Sequence, residues 1–116
     1  MSDEDLPKAS EYLLAKLYKQ YVENTKQGFP MLKSKDLGSF KDIQENIVPE
    51  IKLENVADLI RSLDTHGYLQ VQYGDNYPMF VSLTDKAIVR YEQQLGLNIS
   101  KIADFVGKLA PFIKFL

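Results

Sequence analysis

Few side chains of this 116-residue chain are suited to acid–base chemistry or metal binding. It has a single histidine, His66, and no cysteine. Metal sites combine several His, Cys or carboxylate ligands, and an activated nucleophile needs a neighbouring base. His66 directly precedes Gly67, a pattern typical of the last turn of a helix, where a histidine suits the helix dipole. We therefore predict no enzymatic activity, no metal site and no cofactor.

Phosphate-binding loops are also not indicated. The glycines are scattered at the ends of predicted elements, except Gly107, which falls inside the predicted last helix. It marks either a close helix crossing or a weak point of the helix. The acidic run Asp3-Glu4-Asp5 is predicted to be a solvated tail. The acidic start and the lack of any long apolar run predict a cytoplasmic protein without a membrane span.

Tyrosines offer a second kind of chemistry, the stacking of nucleobases. Tyr68, Tyr73 and Tyr77 lie in or near a predicted hairpin, and aromatic side chains on strands can stack the bases of single-stranded nucleic acid. Tyrosine is also a favoured residue of half-buried strands. We favour this structural role.

Apolar residues at helical spacing predict the elements that position these side chains. Ser10 is a candidate cap for a first helix that ends at Gly28, and a short helix follows a cap at Ser39, with Asp42 completing a weak capping box. The clearest helix spans residues 53–66. Further helices are predicted from Thr84 to Gly96 and after a cap at Ser100. The link Phe29–Leu32 is predicted to be an irregular apolar bridge or a very short strand, and Asp36–Ser39 is predicted to be a turn.

Between the third and fourth of these helices the period changes from 3.6 to 2. Residues 68–83 alternate around a turn cluster, Gly74-Asp75-Asn76, which predicts a β-hairpin. The turn region is expected to be longer than a two-residue loop.

Two segments carry a family resemblance: Leu53–Val71, LENVADLIRSLDTHGYLQV, and Val81–Tyr91, VSLTDKAIVRY. With the order helix, short helix, helix and hairpin, they resemble winged-helix proteins, and the layout is similar to small bacterial proteins of the YjcQ type. Ala87 stands where winged-helix proteins usually have glycine, and Tyr91 where they usually have an aliphatic residue; both are mild departures. The resemblance implies a mostly helical α+β fold, with a three-helix core, a two-stranded wing and additional C-terminal helices. Residues 1–96 would form the winged-helix domain and 97–116 a C-terminal amphipathic helix.

The resemblance also implies a transcriptional regulator that binds DNA. Helix 53–66 would enter the major groove, with hairpin 68–83 as the wing. Side chains expected to contact bases are Asn55, Arg61, Ser62 and Thr65. Lysines expected to contact phosphates are Lys33, Lys35, Lys41 and Lys52. The wing tip would be Asp75, Asn76 and Tyr77.

Charge argues against this interpretation. The chain has a net charge of −2, and residues 52–77 hold two basic residues against four acidic ones. Affinity for DNA comes largely from cations that neutralise phosphates. The alternative is a winged helix that binds another protein and does not bind nucleic acid.

The predicted last helix carries a long apolar stripe. Its members are Ile102, Phe105, Val106, Leu109, Phe112, Ile113 and Leu116. The stripe either packs on the first helix or forms a dimer interface, and we expect a homodimer because two-fold dimers are common. Binding at a membrane surface is disfavoured, since Lys101, Lys108 and Lys114 give little attraction to anionic lipid.

Overall fold

The computed structural model describes residues 6–116, which form a mostly helical α+β structure, as predicted. The predicted Asp3-Glu4-Asp5 tail lies outside the described residues. The helices are α1 (Lys8–Lys26), α2 (Met31–Ser34), α3 (Phe40–Asn46), α4 (Leu53–Thr65), α5 (Asp85–Leu95) and α6 (Ile99–Leu109), followed by a 3₁₀ turn (Ala110–Ile113). The strands are β1 (Asp36–Gly38), β2 (Leu69–Gly74) and β3 (Tyr77–Leu83).

The strands form one antiparallel sheet in the order β1-β3-β2. β2 and β3 are the predicted hairpin, but its loop is shorter than expected. Gly74 pairs with Tyr77, so Asp75 and Asn76 alone form the loop. Both have positive φ angles, 53° and 70°, which is the signature of a type I′ turn and suits the twist of the two strands.

The segment before α3 differs most from the sequence prediction. The last two residues of the expected bridge or short strand, Met31 and Leu32, instead begin the short helix α2. The first three residues of the expected turn Asp36–Ser39 form the edge strand β1. Asp36 pairs with Ser82, and Gly38 pairs with Val81. The strand therefore forms through contact with a distant part of the chain rather than through its own propensity.

Among the described helices, α3, α5 and α6 begin at a side-chain cap. The capping box of Ser39 and Asp42 is complete, and Thr84 caps α5. Two predicted caps are wrong: Pro7 is the N-cap of α1, and Asn98, not Ser100, caps α6 through the main-chain N–H of Lys101. In the second case the helix begins two residues earlier than predicted, so Asn98 occupies the cap position and Ser100 lies inside the first turn.

The hydrophobic core is built around α1. α6 packs against α1, and Ile102, Leu109 and Ile113 of the predicted stripe are buried there. Phe105 and Val106 are half-buried against the same core, whereas Phe112 is 56% exposed. The stripe therefore packs within the chain, with one large member left outside.

Gly107 lies in α6, and no heavy atom lies within 4 Å of the position that its Cβ would occupy. This rules out a close crossing within residues 6–116. We expect Gly107→Ala to raise the free energy of unfolding by about 0.5–1 kcal/mol, because alanine has the higher helix propensity. Urea denaturation followed by circular dichroism measures this difference. A destabilised variant would contradict the open environment of this position.

Candidate functional site

α4 presents one buried side and one outward face. Val56, Ala57, Ile60 and Leu63 are buried, as the apolar spacing predicts. The exposed positions of the helix are Glu54, Asp58 and Thr65. Two of these three are carboxylates, so the outward face is acidic.

The tip of the hairpin is tied to this face by hydrogen bonds. The Tyr77 hydroxyl donates to Glu54 at 2.9 Å. The Arg61 guanidinium donates to the carbonyl oxygen of Asn76 at 2.8 Å. Nearer the end of α4, the Tyr73 hydroxyl donates to Asp64 at 2.7 Å. The hairpin therefore leans on the helix instead of extending freely beside it.

Tyr77 is the centre of the contact. Its ring stacks on Phe40 with 4.9 Å between centroids, and the Arg61 guanidinium lies 5.3 Å from its centroid. The hydrogen bond to Glu54 raises the pKa of Tyr77, and partial burial together with the Asp64 bond raises the pKa of Tyr73 to about 12. Both shifts stabilise the protonated form of the hydroxyl, which is the form that donates these hydrogen bonds.

Three of the four predicted base contacts are already engaged within the chain. Asn55 donates to the main-chain oxygen of Leu116 at 2.8 Å. Arg61 donates to Asp58 at 2.7 Å as well as to the hairpin. The Thr65 hydroxyl donates to the carbonyl of Arg61 at 3.0 Å. Ser62 is half-buried beside them.

The four predicted phosphate-binding lysines do not share one surface. Lys41, in α3, and Lys52, the N-cap of α4, are exposed, and Lys41 lines a cleft together with the hairpin tip. Lys33 lies near Phe29 on α2. Lys35 forms an ion pair with Asp85 at 2.7 Å, with its side chain only 16% exposed.

The starts of α3 and α4 and the hairpin tip together line a cleft of about 390 Å³. Leu53 and Met79 contribute apolar surface, and Glu54 and Asp75 contribute carboxylates. Lys41 is the only basic residue in the lining. A ligand suited to this cleft would combine positive charge with an apolar group.

The sequence prediction missed a second exposed surface. Phe29, Met31, Leu32 and Phe80 are large apolar residues that remain exposed, and Phe29 and Phe80 line one shallow cavity. The run Phe29–Leu32 was available as a signal, because it is apolar and interrupted by proline. Its exposure follows from the short α2, which leaves these side chains outside the core.

His66 has the structural role that the sequence indicated. Its Nδ1 donates to the carbonyl of Ser62 at 2.8 Å, and Gly67 follows with a φ of +84°. Within residues 6–116, no three His, Asp or Glu side chains are grouped as a metal site requires. None of the helices in this part of the chain has the length and apolar character needed to cross a bilayer.

No protein family, curated protein or solved structure matches the chain.

Proposed function

We propose that this chain is a winged-helix protein whose α4–hairpin face binds a basic, partly apolar segment of another protein. The order α1-β1-α3-α4-β2-β3, with β1 paired to β3, supports the winged-helix assignment. The acidic outward face of α4 supports the proposed binding of a basic segment.

Electrostatics favours a cationic partner at this face. Glu54, Asp58 and Asp75 are exposed. Arg61 and Asp58 form an ion pair, so Glu54 and Asp75 give this face its excess of negative charge. Carboxylates repel phosphates and attract lysine or arginine side chains, which speeds encounter and selects partners by charge. Leu53 and Met79 in the adjoining cleft provide the apolar contact that a stable complex needs.

Binding to DNA through α4 remains the second candidate. Lys41 of α3 and Lys52, the N-cap of α4, favour it, since both are exposed and form no salt bridge with another described residue. In this mode Arg61 would have to leave Asp58 and the hairpin before it could contact a base.

A triple variant separates the two candidates. Glu54→Gln, Asp58→Asn and Asp75→Asn together remove three negative charges while keeping side-chain shape, and asparagine tolerates the positive φ of position 75. We expect the variant to bind a labelled amphipathic peptide of lysine and leucine about tenfold more weakly than the wild type. Fluorescence anisotropy at low salt measures this affinity.

The control neutralises three exposed acids elsewhere, Glu45→Gln, Glu92→Gln and Asp104→Asn. It has the same net charge as the triple variant, and we expect it to keep wild-type peptide affinity. Mixed genomic DNA fragments are tested in parallel by mobility shift as salt is raised. A wild-type shift that weakens steeply with salt, and that the triple variant strengthens, would replace the protein-binding proposal by the DNA-binding one.

A further inference from the structure

β2 has one edge without a strand partner among residues 6–116, because β3 occupies the centre of the sheet. The main-chain N–H of Thr84 donates to the carbonyl of Tyr68 at 3.2 Å. In an antiparallel pair, the main-chain groups of successive residues point alternately towards the neighbouring strand and away from it. Gln70 and Gln72, which lie two and four residues after Tyr68, therefore also bond to β3. The main-chain groups of Val71 and Tyr73 therefore point away from β3, towards the free edge.

This edge lacks the usual protection against pairing with another strand. Natural edge strands carry charges, prolines or bulges that prevent such pairing. β2 reads LQVQYG, with no charge and no proline, and the irregularity beside Tyr73 is an extra residue, Met79, on β3. The opposite edge, β1, is only three residues long, begins with Asp36 and is itself bulged.

Accessibility limits the part of the edge that another strand can reach. Leu69 is only 2% exposed, so its main chain is covered. Val71 is half-buried, and Tyr73 is 45% exposed. A partner strand can therefore form hydrogen bonds only around Val71 and Tyr73, with Gln72 between them.

We propose that two copies of this chain pair through this edge, with antiparallel β2 strands related by a two-fold axis at Gln72. In this register Val71 lies opposite Tyr73 of the second copy, and each such pair exchanges both N–H···O=C bonds. A β-branched residue opposite an aromatic one is a favourable cross-strand pair. Gln72 lies directly opposite its own copy, on the exposed face of the sheet.

Self-complementarity makes a second copy the occupant that this edge fits. The two-fold operation satisfies the free main-chain groups of both strands at once. The side chains that meet are uncharged, so the chain's net negative charge is not concentrated at the contact. The ladder is short, so we expect a weak dimer whose population rises with protein concentration.

Charge complementation at Gln72 tests the register directly. Gln72→Lys and Gln72→Glu each place like charges opposite each other in a homodimer, and we expect each to raise the dimer dissociation constant about tenfold at low salt. An equimolar mixture of the two variants places opposite charges together and should restore dimerisation. Sedimentation equilibrium over a concentration series measures all three samples.

Gln93→Lys and Gln93→Glu, at an exposed position of α5, are the matched controls and should associate like the wild type, alone and mixed. Amide hydrogen exchange adds a second readout. The N–H groups of Val71 and Tyr73 should become protected as concentration rises, while those of Gln70 and Gln72 are protected throughout. A wild-type protein that stays monomeric would overturn the proposal. So would self-association that neither Gln72 variant weakens, because it would place the interface on another surface.

Discussion

Replacing Glu11 by alanine is expected to lower the free energy of unfolding by about 3 kcal/mol. Its carboxylate accepts a hydrogen bond from Arg90 at 2.8 Å and another from the Tyr91 hydroxyl. The side chains of Arg90 and Glu11 are only 13% and 12% exposed. Burial alone would lower the pKa of Arg90, but the Glu11 hydrogen bond and charge raise it overall. The substitution therefore removes the acceptor that the shielded Arg90 cation and the buried Tyr91 hydroxyl share.

Glu23→Ala is the matched control for this change, because it alters the same residue type in the same helix. Glu23 pairs with Lys19 at 3.1 Å, but both side chains are about one-third exposed. Such a pair contributes little in water, so the control should cost within about 0.5 kcal/mol. Urea denaturation followed by circular dichroism compares the two variants. Equal losses would show that the Glu11 cluster does not stabilise the fold.

This cluster could not have been predicted from the sequence. Glu11 and Arg90 lie 79 positions apart, and each is a charged residue on an otherwise amphipathic helix. Spacing rules place such residues on the solvent face. Only the packing of α5 beside α1 brings the two side chains together, and no local sequence pattern indicates that packing.

Elements defined by neighbouring residues were predicted well. The helix at 53–66 is confirmed as α4 with His66 as its C-cap, because apolar spacing and a following glycine both act within one or two turns. The Ser39–Asp42 capping box is local in the same sense. Strand β1 was missed because three residues beginning at Asp36 acquire their conformation from Ser82 and Val81.

The sequence predicted which surface forms the candidate site but not the contacts between its side chains. Sequence spacing identified the outward face of α4 and its acidic excess, both of which depend only on helix geometry. It did not reveal that Arg61 is bound by Asp58 and by Asn76. The second of these contacts depends on the two-residue hairpin loop, which the composition of the turn cluster did not indicate.

Burial of the C-terminal apolar stripe predicts a second large loss of stability. Ile102→Ala is expected to lower the free energy of unfolding by about 3 kcal/mol. Ile102 is 0% exposed in the contact between α6 and α1, so its truncation leaves a cavity in the main core. The same urea titration measures the loss.

Phe112→Ala is the matched control, since the sequence places Phe112 on the same stripe. Its side chain is 56% exposed, so truncation should change the free energy of unfolding by about 0.5 kcal/mol or less. If the stripe instead packed between two chains, both residues would be buried in that interface. Phe112→Ala would then be as costly as Ile102→Ala, and both losses would depend on protein concentration. A large difference between the variants, independent of concentration, is the result that packing of α6 on its own α1 requires.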